Sequence, residues 1–163
     1  MEPQISSFLS QNITLREMDH KNTDVENTTK KYDNRMDTTA IKPPIYNLEE
    51  RTTKFAQCVR VFIRKLPSTY GNREDTSQLV RSSGSVAANY IEANESLGKR
   101  DFLMKVRTCI REAKESRLWL TLIDVGNDDQ LRNERKQLVQ EAKELMLIFG
   151  SMHRKKSTTI LGH

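Results

Sequence analysis

Residues 131–152 read LRNERKQLVQEAKELMLIFGSM, and the spacing inside this stretch decides the fold. Leu131, Leu138, Leu145 and Met152 stand seven apart, interleaved by Arg135, Ala142 and Phe149. A nearly strict heptad seam is the pattern of helices packed lengthwise in bundles and coiled coils. Asn127, Asp128 and Asp129 precede it and place negative charge where a helix N-terminus favours it. The stretch therefore predicts a long helix from about Asn127 to His153.

Working back towards the N-terminus, the same periodicity recurs three times. Lys99 to Gly126 predicts a helix with Asp101 in its first turn. Its core stripe is Phe102, Val106, Ile110, Ala113 and Leu120, with Trp119 beside it. Glu74 to Leu97 predicts another, with Leu79, Ser83, Val86, Tyr90, Ala93 and Leu97 inward and Gly98 as the C′ residue. The small residues Ser82, Ser83, Gly84, Ser85, Ala87 and Ala88 are poor choices for an isolated helix. They suit a level where a second helix approaches closely. Asn47 and Glu50, three apart, form a capping-box pattern for the first helix. Leu48, Thr52, Phe55, Val59, Phe62 and Leu66 line that helix until Pro67 ends it. Residues 68–72 then make a turn around Gly71. Connections this short require antiparallel neighbours. The fold expected is an all-α, antiparallel up-down four-helix bundle over residues 45–153.

Residues 1–44 are different. They are rich in Asn, Thr, Asp, Glu and Lys with apolar residues scattered singly, and Ile13 to Met18 offers at most one helical turn. Such a composition buries too little to offset ordering, so a disordered polar extension is expected. Pro43-Pro44 closes it with extended backbone. Residues 154–163 are expected to fray as a flexible tail. Residues 1–40 hold five basic and seven acidic side chains, net −2, which leaves 22 basic and 15 acidic, net +7, in the remainder. The basic excess of a chain of net charge +5 thus lies wholly in the part that folds. A surface of that sign favours RNA, DNA or acidic protein.

Catalytic patterns are missing: there is no glycine-rich phosphate loop, no HExxH and no Cys-x-x-Cys. His20, His153 and His163 lie in or beside the expected flexible ends, and no Glu-x-x-His pair exists to build a di-iron bundle site. Cys58 and Cys109 sit inside helical patterns and read as packing residues rather than a disulfide framework. The expectation is a non-enzymatic protein without catalytic residues, cofactor or metal. No apolar run reaches the ~20 residues of a membrane span, and the first twenty residues do not read as a secretory signal. A cytoplasmic location follows as the expectation.

Two charged patterns remain. Arg100, Arg107, Arg111 and Lys114 are spaced 7, 4 and 3 apart. At 100° per residue they fall within about 60° of one another. Such a stripe can follow a phosphate backbone; its plainer reading is a solvated face with salt bridges to glutamates. Arg117 falls instead within the apolar stripe and needs a partner, for which Glu92 and Glu95 are the candidates, as a structural ion pair. Trp119 is the one candidate for base stacking and reads better as packing, so phosphate and shape recognition are favoured over base readout.

The run LVRSSGSVAANYIEANE at 79–95, DFL at 101–103, REAKESRLWL at 111–120 and YNLEERTTKFA at 46–56 resemble the 23S rRNA intervening-sequence proteins, also called the S23 or four helix bundle protein family. The resemblance spans residues 45–150. It implies a bacterial, cytoplasmic bundle that assembles into a ring-like homopentamer and is associated with RNA. That family is in turn similar to the accessory variability determinant proteins of diversity-generating retroelements, basic pentamers that work with a reverse transcriptase and nucleic acid. By position, Asn89 and Glu92 match the family's Asn-x-x-Glu, and Glu115 and Arg117 its Glu-x-Arg. The resemblance implies fold and assembly roles for them. The N-terminal extension of about 40 residues departs from the family's pattern.

Overall fold

A computed structural model describes residues 47–158, with side chains through Ser157. The expected N-terminal extension, with Ile13–Met18, Pro43-Pro44 and His20, and residues 159–163 with His163 lie outside the described residues.

Helix α1 spans Leu48–Ile63. The Asn47 side-chain oxygen accepts the Glu50 N–H at 3.2 Å, satisfying a donor that the helix itself leaves unpaired. Glu50 reaches back to the Asn47 amide at 3.5 Å, so the capping pair forms with its return arm on the side chain. The helix stops three residues short of Leu66. Pro67 disfavours helical backbone just before it. The chain tightens instead into i→i+3 bonds, Lys65 N to Phe62 O at 3.1 Å and Leu66 N to Ile63 O at 3.4 Å.

Helix α2 spans Tyr70–Asn94, beginning earlier and ending earlier than its periodicity suggests. Thr69 supplies the missing signal: its hydroxyl accepts the Asn72 N–H at 3.1 Å. Gly71, expected at a turn, thus lies in the first helical turn. At the other end Leu97, expected to point inward, is fully exposed beyond the helix. Gly98 is not the C′ residue of α2 but the extended N-cap of α3, Lys99–Leu122. Helix α3 hands over to a buried plug, Ile123 and Val125. Gly126 follows at φ +60, where a side chain would be strained.

Helix α4 spans Asp129–Thr158. The Asp128 carboxylate accepts the Leu131 N–H at 2.9 Å. Residues 154–158, expected to belong to a frayed tail, continue the helix. Part of the reason is local: the Lys156 ammonium sits 3.4 Å from the centre of the Phe102 ring on α3.

The helices pack in a circuit, α1 on α2, α2 on α3, α3 on α4 and α4 on α1, as an antiparallel up-down four-helix bundle. The heptad seam of α4 lies in its core, with Leu131, Leu138, Ala142, Leu145 and Phe149 buried. Arg135 and Met152 are half-buried at its margin. Arg135 turns its guanidinium onto the Ile123 carbonyl at 2.8 Å. The centre of the α3 face is Val106, Cys109, Ala113, Ser116 and Leu120; Ile110 falls to its flank and Phe102, in line with it, is half-buried in the first turn.

Helices α2 and α3 approach closely through small side chains. The Ser116 hydroxyl donates to the Ser82 hydroxyl at 2.9 Å, and the Cys109 thiol meets the Val86 carbonyl at 3.6 Å. Of the small-residue run, Ser82, Ser83 and Ala87 are buried in this way, while Ala88 faces out. One amide ties the two loops at one end of the bundle together. Asn72 donates to Pro67 O at 2.9 Å and Asp124 O at 2.8 Å, and accepts the Asp124 N–H at 2.9 Å.

Candidate nucleic-acid interface

Helix α3 buries one face against α2 and α4, so residues about 180° from Cys109 and Ala113 must face outward. Arg100, Arg107, Arg111 and Lys114 do so: all four are exposed. Among the described residues no salt bridge occupies any of them. The plainer reading of the stripe, cations neutralised by neighbouring glutamates, therefore finds no ion pair among the described residues. Of the neighbouring acidic side chains, Glu112 feels the Arg111 charge without forming an ion pair with it. Glu115 accepts the Trp119 indole N–H at 3.1 Å along the helix, and burial together with the Glu115 charge raises the pKa of Glu112. Trp119 itself is half-buried.

The expected ion pair of Arg117 with Glu92 or Glu95 does not form. Glu92 pairs with Lys105 instead, and the hydrogen bond between them raises the pKa of the Lys105 ammonium. The physical reason is register. Glu92 opposite Lys105 and Ser82 opposite Ser116 fix the antiparallel alignment of α2 and α3. Arg117 consequently lies about 12 residues, or ~18 Å, along α3 from the level of Glu92. It is half-buried, on the flank of α3 that turns towards α4 rather than α2. Glu95 is exposed at the end of α2. Asn89 donates to the Ser85 carbonyl of its own helix at 2.9 Å. The four positions that resemble the family pattern thus do not converge on one site.

Among the described residues, a buried ion pair lies elsewhere, between α1 and α4. Arg51 Nε donates to Glu141 Oε1 at 2.7 Å, and its Nη2 to Glu141 Oε2 and to Glu144 Oε2, both at 2.8 Å. Burial alone lowers the Arg51 pKa, but the hydrogen bonds and charges of the two glutamates overcome it and hold the guanidinium above its usual range. Lys65 pairs with the buried Glu134 at 3.1 Å farther along the same seam. The sequence carries a signal for this arrangement. Glu134 and Glu141 stand seven apart beside the leucine heptad, and Arg51 falls between Leu48 and Phe55 on the apolar face of α1.

Neither cysteine has the environment of a nucleophile. Burial raises the Cys58 thiol and pushes Cys109 up to about 12, so both stay protonated at neutral pH. No cluster of His, Cys, Asp or Glu among the described residues has the makings of a metal site. None of the described helices is long and apolar enough to cross a membrane.

No family model matches the sequence, and no curated protein sequence matches it. A solved structure does. The bundle resembles the crystal structure of a protein with unknown function from the S23 ribosomal protein family of Bacteroides thetaiotaomicron. The TM-score is 0.54 at 21% identity, over 65% of this chain and 97% of that one. The likeness is one of fold.

Proposed function

We propose that the chain is a non-enzymatic member of the S23-like bundles and binds nucleic acid through backbone phosphates, with structured RNA as the leading ligand. One observation carries the reading. Arg100, Arg107, Arg111 and Lys114 stand exposed on one narrow outward stripe of α3, without salt bridges among the described residues. Cations neutralised within the fold add little attraction for an anion, whereas free ones release counterions from a polyanion on contact. The fold of an S23-family protein, shared over nearly its whole length, supports the family part of the reading. The reading includes self-association as a homo-oligomer, the pentamer that the sequence resemblance implies, which sedimentation equilibrium would measure.

The test is the salt dependence of binding to a structured RNA, followed by fluorescence anisotropy. Each phosphate contact contributes on the order of one to the log–log slope. The double variant Arg107→Glu/Arg111→Glu is expected to flatten the slope by about two. An affinity indifferent to both salt and substitution would sink the proposal.

A protein-binding scaffold or accessory subunit is the second reading. It is favoured by Tyr70, Leu97 and Leu147, exposed apolar side chains outside α3 that phosphate contacts leave unused. Partner capture that survives nuclease treatment would support it over the first.

A further inference from the structure

The outward stripe of α3 is not purely cationic. Met104, Leu118 and Leu122 are 58%, 51% and 54% exposed. At 100° per residue they lie within about 80° of one another and of Arg100, Arg107, Arg111 and Lys114, on the same line. Along the axis the order is cation, apolar, three cations, apolar, apolar. Met104 and Leu118 stand ~21 Å apart, with Arg107, Arg111 and Lys114 between them.

That order discriminates between forms of nucleic acid. A base-paired RNA helix keeps its base faces stacked inside and offers phosphates, sugars and hydroxyl-lined grooves to a protein. Pressed against it, Met104, Leu118 and Leu122 would strip water from polar groups and return no hydrogen bonds. An unpaired strand offers phosphates along one edge and unstacked base faces, which are apolar, along the other. A single row of cations also matches one backbone rather than the two that border a groove.

We infer that the stripe takes an unpaired stretch of polynucleotide, a loop, bulge or single strand. Its phosphates lie on Arg107, Arg111 and Lys114, and its bases rest against Met104 on one side and Leu118 and Leu122 on the other. This rests on the nucleic-acid reading above and narrows its ligand from any structured RNA to the unpaired segments of one.

The experiment compares a single-stranded RNA 20-mer with a 20-base-pair RNA duplex on the full chain at one salt concentration. A triple variant, Met104→Ser/Leu118→Ser/Leu122→Ser, is measured beside the parent. All three side chains are largely in solvent, and circular dichroism checks that the helices persist. The single strand is expected to bind at least about tenfold more tightly than the duplex. The triple variant is expected to lose about tenfold for the single strand at an unchanged salt slope. Equal affinity for duplex and single strand, or a triple variant that binds like the parent, overturns the inference and leaves the nucleic-acid reading standing. Failure of both RNAs to bind removes that reading and this one together, and makes an acidic protein surface the remaining counterpart of the stripe.

Discussion

The α2–α3 seam and the α1–α4 seam join helices of one bundle by opposite means. Between α2 and α3 the backbones come close over serine, alanine and cysteine, and the one salt bridge, Lys105–Glu92, sits at the rim. Between α1 and α4 long side chains reach across, and a guanidinium with 9% of its side-chain surface exposed is clasped by two glutamates. Close approach needs only that side chains be small, which any register of two small-residue faces provides in part. A forked ion pair needs particular atoms opposite one another, so it selects one alignment and penalises the rest. The first seam supplies packing; the second supplies the register of α1 on α4.

Breaking the charged seam is expected to have the largest effect. Glu141→Ala removes the bidentate partner of the buried Arg51 and should cost about 3–4 kcal/mol in urea unfolding. Replacing the pair, Arg51→Met with Glu141→Leu, should return stability to within about 1 kcal/mol of the parent. If the pair instead contributes net stability, the double variant stays as weak as the single one, and its role as a register device is lost. On the close-packed seam, Ser116→Leu pushes a larger side chain into the gap facing Ser82 and should cost about 2–3 kcal/mol. A loss well below 1 kcal/mol would mean that the two helices can separate freely, which the 2.9 Å contact opposes.

The smallest effect is alkaline. Burial pushes the Cys109 thiol up to about 12 in the folded chain. The native state therefore keeps a proton that the unfolded chain sheds above about pH 9. The associated stability is complete below that pH and is lost as pH rises towards 12. Between pH 8 and 10.5 under reducing conditions, the parent should lose about 2 kcal/mol more than Cys109→Ala. Parallel losses in both proteins would show that the thiol does not feel the low polarity of the close-packed seam.

Periodicity made the bundle legible, because helical faces repeat along one chain and need no knowledge of a neighbour. The heptad of α4 and the inward residues of α1 are where that reasoning places them, apart from Leu66, Arg135 and Met152 at their margins. Contacts between helices were not legible in the same way. The apolar stripe points Arg117 to a partner on α2, but a stripe fixes neither the axial offset of two helices nor which neighbour a flank faces. The same gap hides Arg51, whose partners stand on the far helix α4. Helix ends slipped for a local reason: Thr69 is a better cap than its loop-like surroundings suggest, and Pro67 acts on residues before it. On the candidate interface the cations were found from spacing alone. The exposed Met104, Leu118 and Leu122 among them were not, because an apolar residue on a helix is read as core until its exposure is known.

The Asn72 amide has a consequence for how the chain tolerates change in length. By bonding to the carbonyls of Pro67 and Asp124 and to one N–H, it behaves as a piece of backbone inserted between two connections. Those connections are thereby measured against each other, and an added residue in either would displace the other. Among the described residues the turn at Ser96–Gly98 has no such tether, and Leu97 is fully exposed. Evolutionary insertions, or an engineered peptide graft, belong there: that hinge is the expandable end of the bundle, and the Asn72 end is its fixed ruler.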